Sequence, residues 1–187
     1  MNFIKSIAGY LLGFVALATF AAVAFGNGAP DVSSWRRAFL VGGAVGAIEL
    51  CVLWVLPKPA NRLVIAANGY LAVGGLAFAL KQWWLLQSYE KLGLSGILLA
   101  MLCVGFATTF GSKAGFVGMN APQDLVRKAS YVLIGFVVLA VTCAQALPAR
   151  EKGAGVIMIT ILAFAYRAMR NWVSRQQRKA KLEEKLG

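Results

Sequence analysis

The sequence contains no histidine and few charged residues, and each shortage removes a class of function. Without an imidazole there is no haem ligation by histidine, and most zinc sites and Ser–His or Cys–His nucleophile pairs are excluded. Only 14% of the residues are charged, whereas soluble domains carry about 25%. The sequence also lacks a nucleophile-elbow, phosphate-loop or acidic metal-binding motif. We therefore expect no enzymatic activity, no catalytic residue and no cofactor.

Cysteine is scarce as well. The three cysteines, Cys51, Cys103 and Cys143, are far apart, and each lies within an apolar run without a C-x-x-C spacing. An odd number of isolated cysteines in apolar surroundings is typical of small packing residues rather than of a disulfide framework or a metal site. We expect no bound metal.

Apolar residues, in contrast, make up 59% of the 187 residues, and the mean hydropathy is +0.70. A soluble fold of this length would leave much of that surface in water and would aggregate. Crossing a hydrocarbon layer of about 30 Å takes about 20 mainly apolar residues. Six runs meet this requirement: residues 7–25, 38–56, 63–80, 92–110, 129–147 and 153–169. Because lipid offers no hydrogen bonds to the backbone, we predict an all-α, polytopic membrane helix bundle with six transmembrane helices.

The net charge of +12 is divided unequally between the two sides of this bundle. With the N-terminus inside, one side carries 13 Lys and Arg residues, seven of them between Arg167 and Lys185, and the other side carries 6. The excess predicts a multi-pass protein of the inner membrane with both termini in the cytoplasm. The alternative for the first run is a cleaved signal peptide, since Lys5 precedes it and Ala22-Val23-Ala24 resembles a cleavage site.

The two halves of the sequence resemble each other. Residues 26–38 resemble residues 118–129, a Leu-Pro pair recurs, and a Leu-Ala-Phe-Ala segment recurs, at offsets of 92, 91 and 86 residues. Three helices per half is an odd number, so the second half would enter the membrane from the opposite side as an inverted 3+3 repeat. The predicted domains are a first half at 1–90, a second half at 91–170 and a basic cytoplasmic tail at 171–187. The alternative is two similar helix hairpins without functional symmetry.

Glu49 is the only acidic residue within the six predicted spans. A charged group at mid-membrane is costly, so it should face protein or water. The position favours a proton or cation site, and the alternative is a carboxyl group that only hydrogen-bonds a neighbouring helix. Asn68, Lys113 and Gln145 are further candidates for the same ion or substrate pathway. Lys113 would be an ion-pair partner for Glu49 if the fourth helix extended to about Gly118, and the alternative is that its ammonium group snorkels to the membrane interface.

Four glycines are candidates for close helix packing. Gly42 and Gly46, and also Gly111 and Gly115, have the G-x-x-x-G spacing that lets helix backbones approach each other. The contact could lie within one protomer or between protomers.

The C-terminal segment is strongly basic and is predicted to continue the sixth helix. Anionic lipid head groups are one expected partner, and an acidic cytoplasmic protein is the other. Nucleic acid is not expected, because no folded basic face remains once the helices lie in lipid. The candidate binding residues are Arg170, Arg175, Arg178, Lys179 and Lys181.

Two functions follow from these observations. The first is a small inner-membrane channel or transporter for an ion or small solute, with Glu49 as its intramembrane polar site. It would work as a homo-oligomer, since six short helices leave little room for a wide pore. The alternative is a non-transporting membrane subunit or anchor that docks a cytoplasmic partner through its basic tail.

Overall fold

The structure is a computed structural model that describes residues 15–26, 32–55, 61–146 and 154–186. All regular secondary structure in these ranges is α-helical, which confirms the predicted all-α class. The helices are α1 Val15–Phe25, α2 Val32–Val55, α3 Arg62–Ala79, α4 Trp83–Gly111, α5 Gln123–Ala146 and α6 Ala154–Leu186.

The chain divides into two compact units, Met1–Ile97 and Leu98–Gly187, and the division falls inside α4. The first unit contains α1, α2, α3 and the beginning of α4. The second contains the rest of α4 with α5 and α6.

Three of the helices have the length and apolar composition needed to cross a membrane: α2 from Ser33 to Val55, α3 and α5. Helix α1 and the stretch Ser95–Gly111 of α4 are apolar but shorter. Part of the first predicted run, residues 7–14, lies outside the described ranges. The three long apolar helices support association of the chain with a membrane.

Helix α4 begins earlier than its predicted run. The predicted run starts at residue 92, whereas a tight turn follows α3, in which Gln82 N donates to Ala77 O at 2.9 Å and Lys81 has a φ of 53°. The helix then starts at Trp83. Leu86 and Tyr89 are buried three residues apart on one face of α4, so packing stabilises turns that precede the apolar run.

Helix α4 ends one residue after its predicted run, which stops at residue 110. It stops at Gly111, and both Gly115 and Gly118 have positive φ values, 58° and 65°, which a right-handed helix cannot contain. The predicted extension to Gly118 is therefore wrong. Gly111 and Gly115 do not share a helix face, because Gly111 is the last helical residue and Gly115 lies in the following turn.

In the first unit, α2 packs against both α1 and α3. At one end the contact is aromatic, with Phe39 at its centre: its ring centroid lies 4.9 Å from that of Phe20, 5.5 Å from that of Phe78 and 5.3 Å from that of Tyr89. These rings join α1, α3 and α4 to α2 in edge-to-face and stacked arrangements, which favour aromatic packing.

In the second unit, α5 packs against α6 through buried apolar residues that include Leu133, Val137 and Leu162. Helix α6 is uninterrupted from Ala154 to Leu186, which confirms that the basic segment continues the last helix. Its buried face contains Tyr166 and Val173.

The three cysteines differ from the expectation of packing residues. Cys51, Cys103 and Cys143 are free thiols on exposed helix faces. Each cysteine points away from the other helices of its own unit. Its exposure therefore follows from its position on the helix and not from its small size.

Candidate functional site

The carboxyl group of Glu49 connects three helices of the first unit. Its Oε2 accepts a hydrogen bond from Asn68 Nδ2 on α3 at 2.6 Å. Its Oε1 accepts one from the backbone N–H of Ala16 on α1 at 3.2 Å. Glu49 itself lies on α2, so the polar contact lies within apolar helices.

Glycines on α2 allow α3 to come close enough for this contact. A Cβ added at Gly46, one turn before Glu49, would lie 3.1 Å from the backbone oxygen of Asn68. A Cβ added at Gly43 would lie 2.6 Å from Leu71 O and 2.9 Å from the Cα of Gly75. The backbones of α2 and α3 are therefore in direct contact, and Glu49 hydrogen-bonds Asn68 across this contact.

The two glycines predicted as packing positions on α2 contact two different helices. Gly42 faces α1, where an added Cβ would lie 2.9 Å from the Cβ of Phe20, whereas Gly46 faces α3. Both are packing positions inside the first unit. In the second unit Gly111 has open space around the position of a Cβ, while Gly115 is pressed against Ser130 and Val126.

Asn68 is fully buried, at 0% exposure, and one of its amide atoms has no hydrogen-bond partner. Nδ2 donates to Glu49, but Oδ1 is buried without a donor among the described residues. A buried acceptor left unsatisfied costs about 1–3 kcal/mol. Residues on the same helix, such as Val64 and Leu71, are almost completely buried and offer no polar group. The unpaired oxygen is therefore a costly feature of α3.

The site has more acceptors than donors. Each oxygen of a carboxylate has two lone-pair positions, and each Glu49 oxygen receives one hydrogen bond here. Asn68 Oδ1 adds a third oxygen that receives none among the described residues. Such an arrangement can bind a cation or a hydrogen-bond donor and repels an anion. The described residues contain no group of three or more His, Cys, Asp or Glu side chains that could hold a metal ion.

The other two predicted pathway residues belong to the second unit. Lys113 is exposed in the turn after α4, and Gln145 is exposed next to the last residue of α5. The structure brings together Glu49 and Asn68, whereas the contribution of Lys113 and Gln145 to a pathway stays a prediction.

The basic residues of the tail lie on the last turns of α6. The guanidinium carbon of Arg170 is 6.0 Å from the ring centroid of Tyr166, a cation–π distance. Four others project from the exposed face: Arg175, Arg178, Lys179 and Lys181.

Sequence reasoning missed a second buried polar contact, at Ser130 on α5. Ser130 Oγ accepts hydrogen bonds from the backbone N–H groups of Phe116 at 3.0 Å and Val117 at 3.4 Å. Tyr166 on α6 donates its hydroxyl to Val117 O at 3.0 Å. Together these bonds attach the turn after α4 to both following helices. The glycines at 115 and 118, which can adopt positive φ, were the signal in the sequence for a turn here.

The backbone amide of Ala16 was also missed, because a main-chain donor has no signature in the sequence.

No protein-family model, curated protein or solved structure matches the chain.

Proposed function

We propose that this protein is a small channel or transporter of the inner membrane for an ion or small solute, with Glu49 as its intramembrane polar site. The observation that carries the proposal is the Glu49–Asn68 hydrogen bond between α2 and α3, two helices that are long and apolar enough to cross a membrane. Ionisable groups at this depth are expensive, and they typically mark ion or proton pathways.

In the proposed topology all six helices span the membrane and both termini lie in the cytoplasm. Each of the six apolar runs overlaps one described helix, in the same order. The larger number of Lys and Arg residues on the side of the termini supports the orientation. We propose a homo-oligomer, because one protomer of six short helices leaves little room for a wide pore.

Helix boundaries support the inverted repeat. Helix α2 runs from Val32 to Val55 and α5 from Gln123 to Ala146, so both bounds are separated by 91 residues. Helices α3 and α6 begin 92 residues apart, at Arg62 and Ala154. These spacings are those found between the repeated sequence landmarks.

The polar site would be present in one half only. At the offset of 91 residues between α2 and α5, Glu49 corresponds to Ala140, which is a buried apolar residue. In the proposed function the first half therefore carries the ion or solute site, and the second half provides the matching scaffold.

Flux measurements in proteoliposomes test the proposal. We expect the Glu49→Gln variant to reduce flux of protons or alkali cations at least tenfold, because glutamine keeps the size of the side chain and removes its charge. Glu183→Gln is the matched control, since Glu183 is an exposed carboxylate near the end of α6, and its flux should equal that of the wild type. Undiminished flux in Glu49→Gln would assign the carboxyl group to packing alone.

The second candidate function is a non-transporting membrane subunit that docks a cytoplasmic partner. The continuous α6 favours it, because Arg175, Arg178 and Lys179 are exposed on a preformed helix that could bind an acidic surface. The same flux assay decides between the two functions. A wild-type chain that carries no ion or solute, with Glu49 present, favours the docking subunit.

A further inference from the structure

We propose that Glu49 and Asn68 form a binding site for a monovalent alkali cation, with Na⁺ as the reference ion and Asn68 Oδ1 as a neutral oxygen ligand. The proposal rests on the proposed function, since it names the ion that the Glu49 site would take.

The site has fewer hydrogen-bond donors than acceptor positions. Among the described residues, the Glu49 carboxylate receives one hydrogen bond on each oxygen, and each oxygen can accept two. Asn68 Oδ1 is buried and receives no hydrogen bond within the described part of the chain. Three oxygens thus have acceptor capacity left in an apolar surrounding. A cation that prefers oxygen ligands is the species that uses such capacity.

The charge of the site is that of one carboxylate, which neutralises one positive charge. The described residues contain no group of three or more His, Cys, Asp or Glu side chains that could hold a metal ion. Divalent ions such as Ca²⁺ are usually held by several carboxylates, which balance their two charges. Alkali cations, in contrast, are bound in membrane proteins by neutral carbonyl oxygens that replace their water. The pair of one carboxylate and one amide oxygen matches a single charge.

The orientation of the Asn68 amide favours a cation over a proton. A protonated Glu49 could donate to Asn68 Oδ1 only if the amide turned over, and Asn68 Nδ2 would then lose its acceptor. Protonation would thus give Asn68 Oδ1 a donor but leave Asn68 Nδ2 without an acceptor. A cation beside Oδ1 leaves the hydrogen bond from Nδ2 to Glu49 Oε2 in place and satisfies the remaining oxygen. A bound cation thus satisfies Asn68 Oδ1 without breaking this hydrogen bond, whereas a proton on Glu49 does not.

The contact between α2 and α3 also connects ion binding to stability. The two ligands, Glu49 and Asn68, lie on opposite sides of the helix contact at Gly46. An ion held by both would therefore stabilise the folded chain, and the melting temperature would rise with the concentration of the ion. Binding can therefore be measured without transport.

The experiment uses the purified full-length chain in detergent. Thermal unfolding and ²²Na⁺ binding are measured while NaCl replaces choline chloride at constant ionic strength. We expect Na⁺ to raise the melting temperature of the wild type saturably, and the apparent affinity to fall at least tenfold in Glu49→Gln and in Asn68→Leu. Glu183→Gln and Asn171→Leu make the same chemical changes at exposed positions of α6 and should bind Na⁺ as the wild type does.

Two results would overturn the cation site. The first is the same stability in Na⁺, Li⁺, K⁺ and choline with no bound ²²Na⁺, and the second is wild-type affinity in Glu49→Gln. If Asn68→Leu does not fold, Glu49→Gln alone decides the result. Glu49-dependent flux that is indifferent to alkali cations would preserve the proposed function and refute this site. Na⁺ binding that depends on Glu49, in a chain without flux, would support this site and refute transport.

Discussion

A single hydroxyl group, that of Ser130, holds the turn that follows α4. It accepts hydrogen bonds from two successive backbone amides, those of Phe116 and Val117, whose side chains are fully buried. Nearby, Gly115 has no room for a side chain, because an added Cβ would lie 2.6 Å from Ser130 Oγ. Glycine, serine and the two amides form one local unit, so the shape of this turn depends on each of them.

At this scale we predict that Ser130→Ala lowers the free energy of unfolding by about 1–3 kcal/mol, because two buried N–H groups lose their acceptor. Hydrogen exchange at Phe116 and Val117 should accelerate, and unfolding in detergent measures the stability. Ser88→Ala is the control, because the Ser88 hydroxyl donates only to Trp84 O in an exposed part of α4. Equal stability of the two variants would contradict the anchoring role of Ser130.

Among the helices, α2 and α3 are in direct backbone contact. Gly43 and Gly75 face each other across it, and Gly75 also has no space for a Cβ because Phe39 O would lie 2.7 Å away. Backbone atoms on both sides cannot move aside as a side chain can. The distance between the two helices, and with it the Glu49–Asn68 hydrogen bond, is therefore set by glycine.

We predict that Gly43→Ala destabilises the chain by about 1–3 kcal/mol, because the added methyl group overpacks a backbone contact. The matched control is Gly69→Ala on α3, where a Cβ would meet no atom within 4 Å. That variant should be neutral or gain up to about 1 kcal/mol from the better helix propensity of alanine. Chemical unfolding in detergent checks both, and an equal effect of the two substitutions would contradict a direct contact at Gly43.

The helices themselves were accessible from sequence because apolar length and flanking polar residues are local signals. The beginning of α4 was missed, since the burial of Leu86 and Tyr89 depends on neighbouring helices. The sequence also named both Glu49 and Asn68, which stand out as polar residues in apolar runs. It could not pair them, because their contact depends on how α2 crosses α3. The Ala16 amide and the Ser130 contact depend on tertiary structure in the same way.

For the whole molecule, the described turns provide a test of the proposed topology. Lys81 lies between α3 and α4, and Lys113 lies after α4, so α4 separates them. If α4 spans the membrane, the two positions face opposite compartments. Both side chains are exposed, which makes them suitable for labelling.

We predict that Lys81→Cys, in a chain whose three native cysteines are replaced by serine, reacts with a membrane-impermeant maleimide added to the periplasmic side. Lys113→Cys should react only from the cytoplasmic side, because the distribution of basic residues places it there. Right-side-out and inside-out vesicles provide the comparison, and detergent-solubilised samples control for intrinsic reactivity. Labelling of both positions from one side would exclude α4 as a span.

The uninterrupted α6 has a mechanical consequence. Its 33 residues form a rod about 50 Å long at 1.5 Å per residue, whereas the hydrocarbon layer is about 30 Å thick. If α6 spans the membrane as proposed, an upright helix would project about 20 Å beyond that layer. A group attached near Leu182 would be held at a fixed distance from the lipid surface. A small tilt of the rod inside the bilayer would swing that outer end sideways, as a lever does.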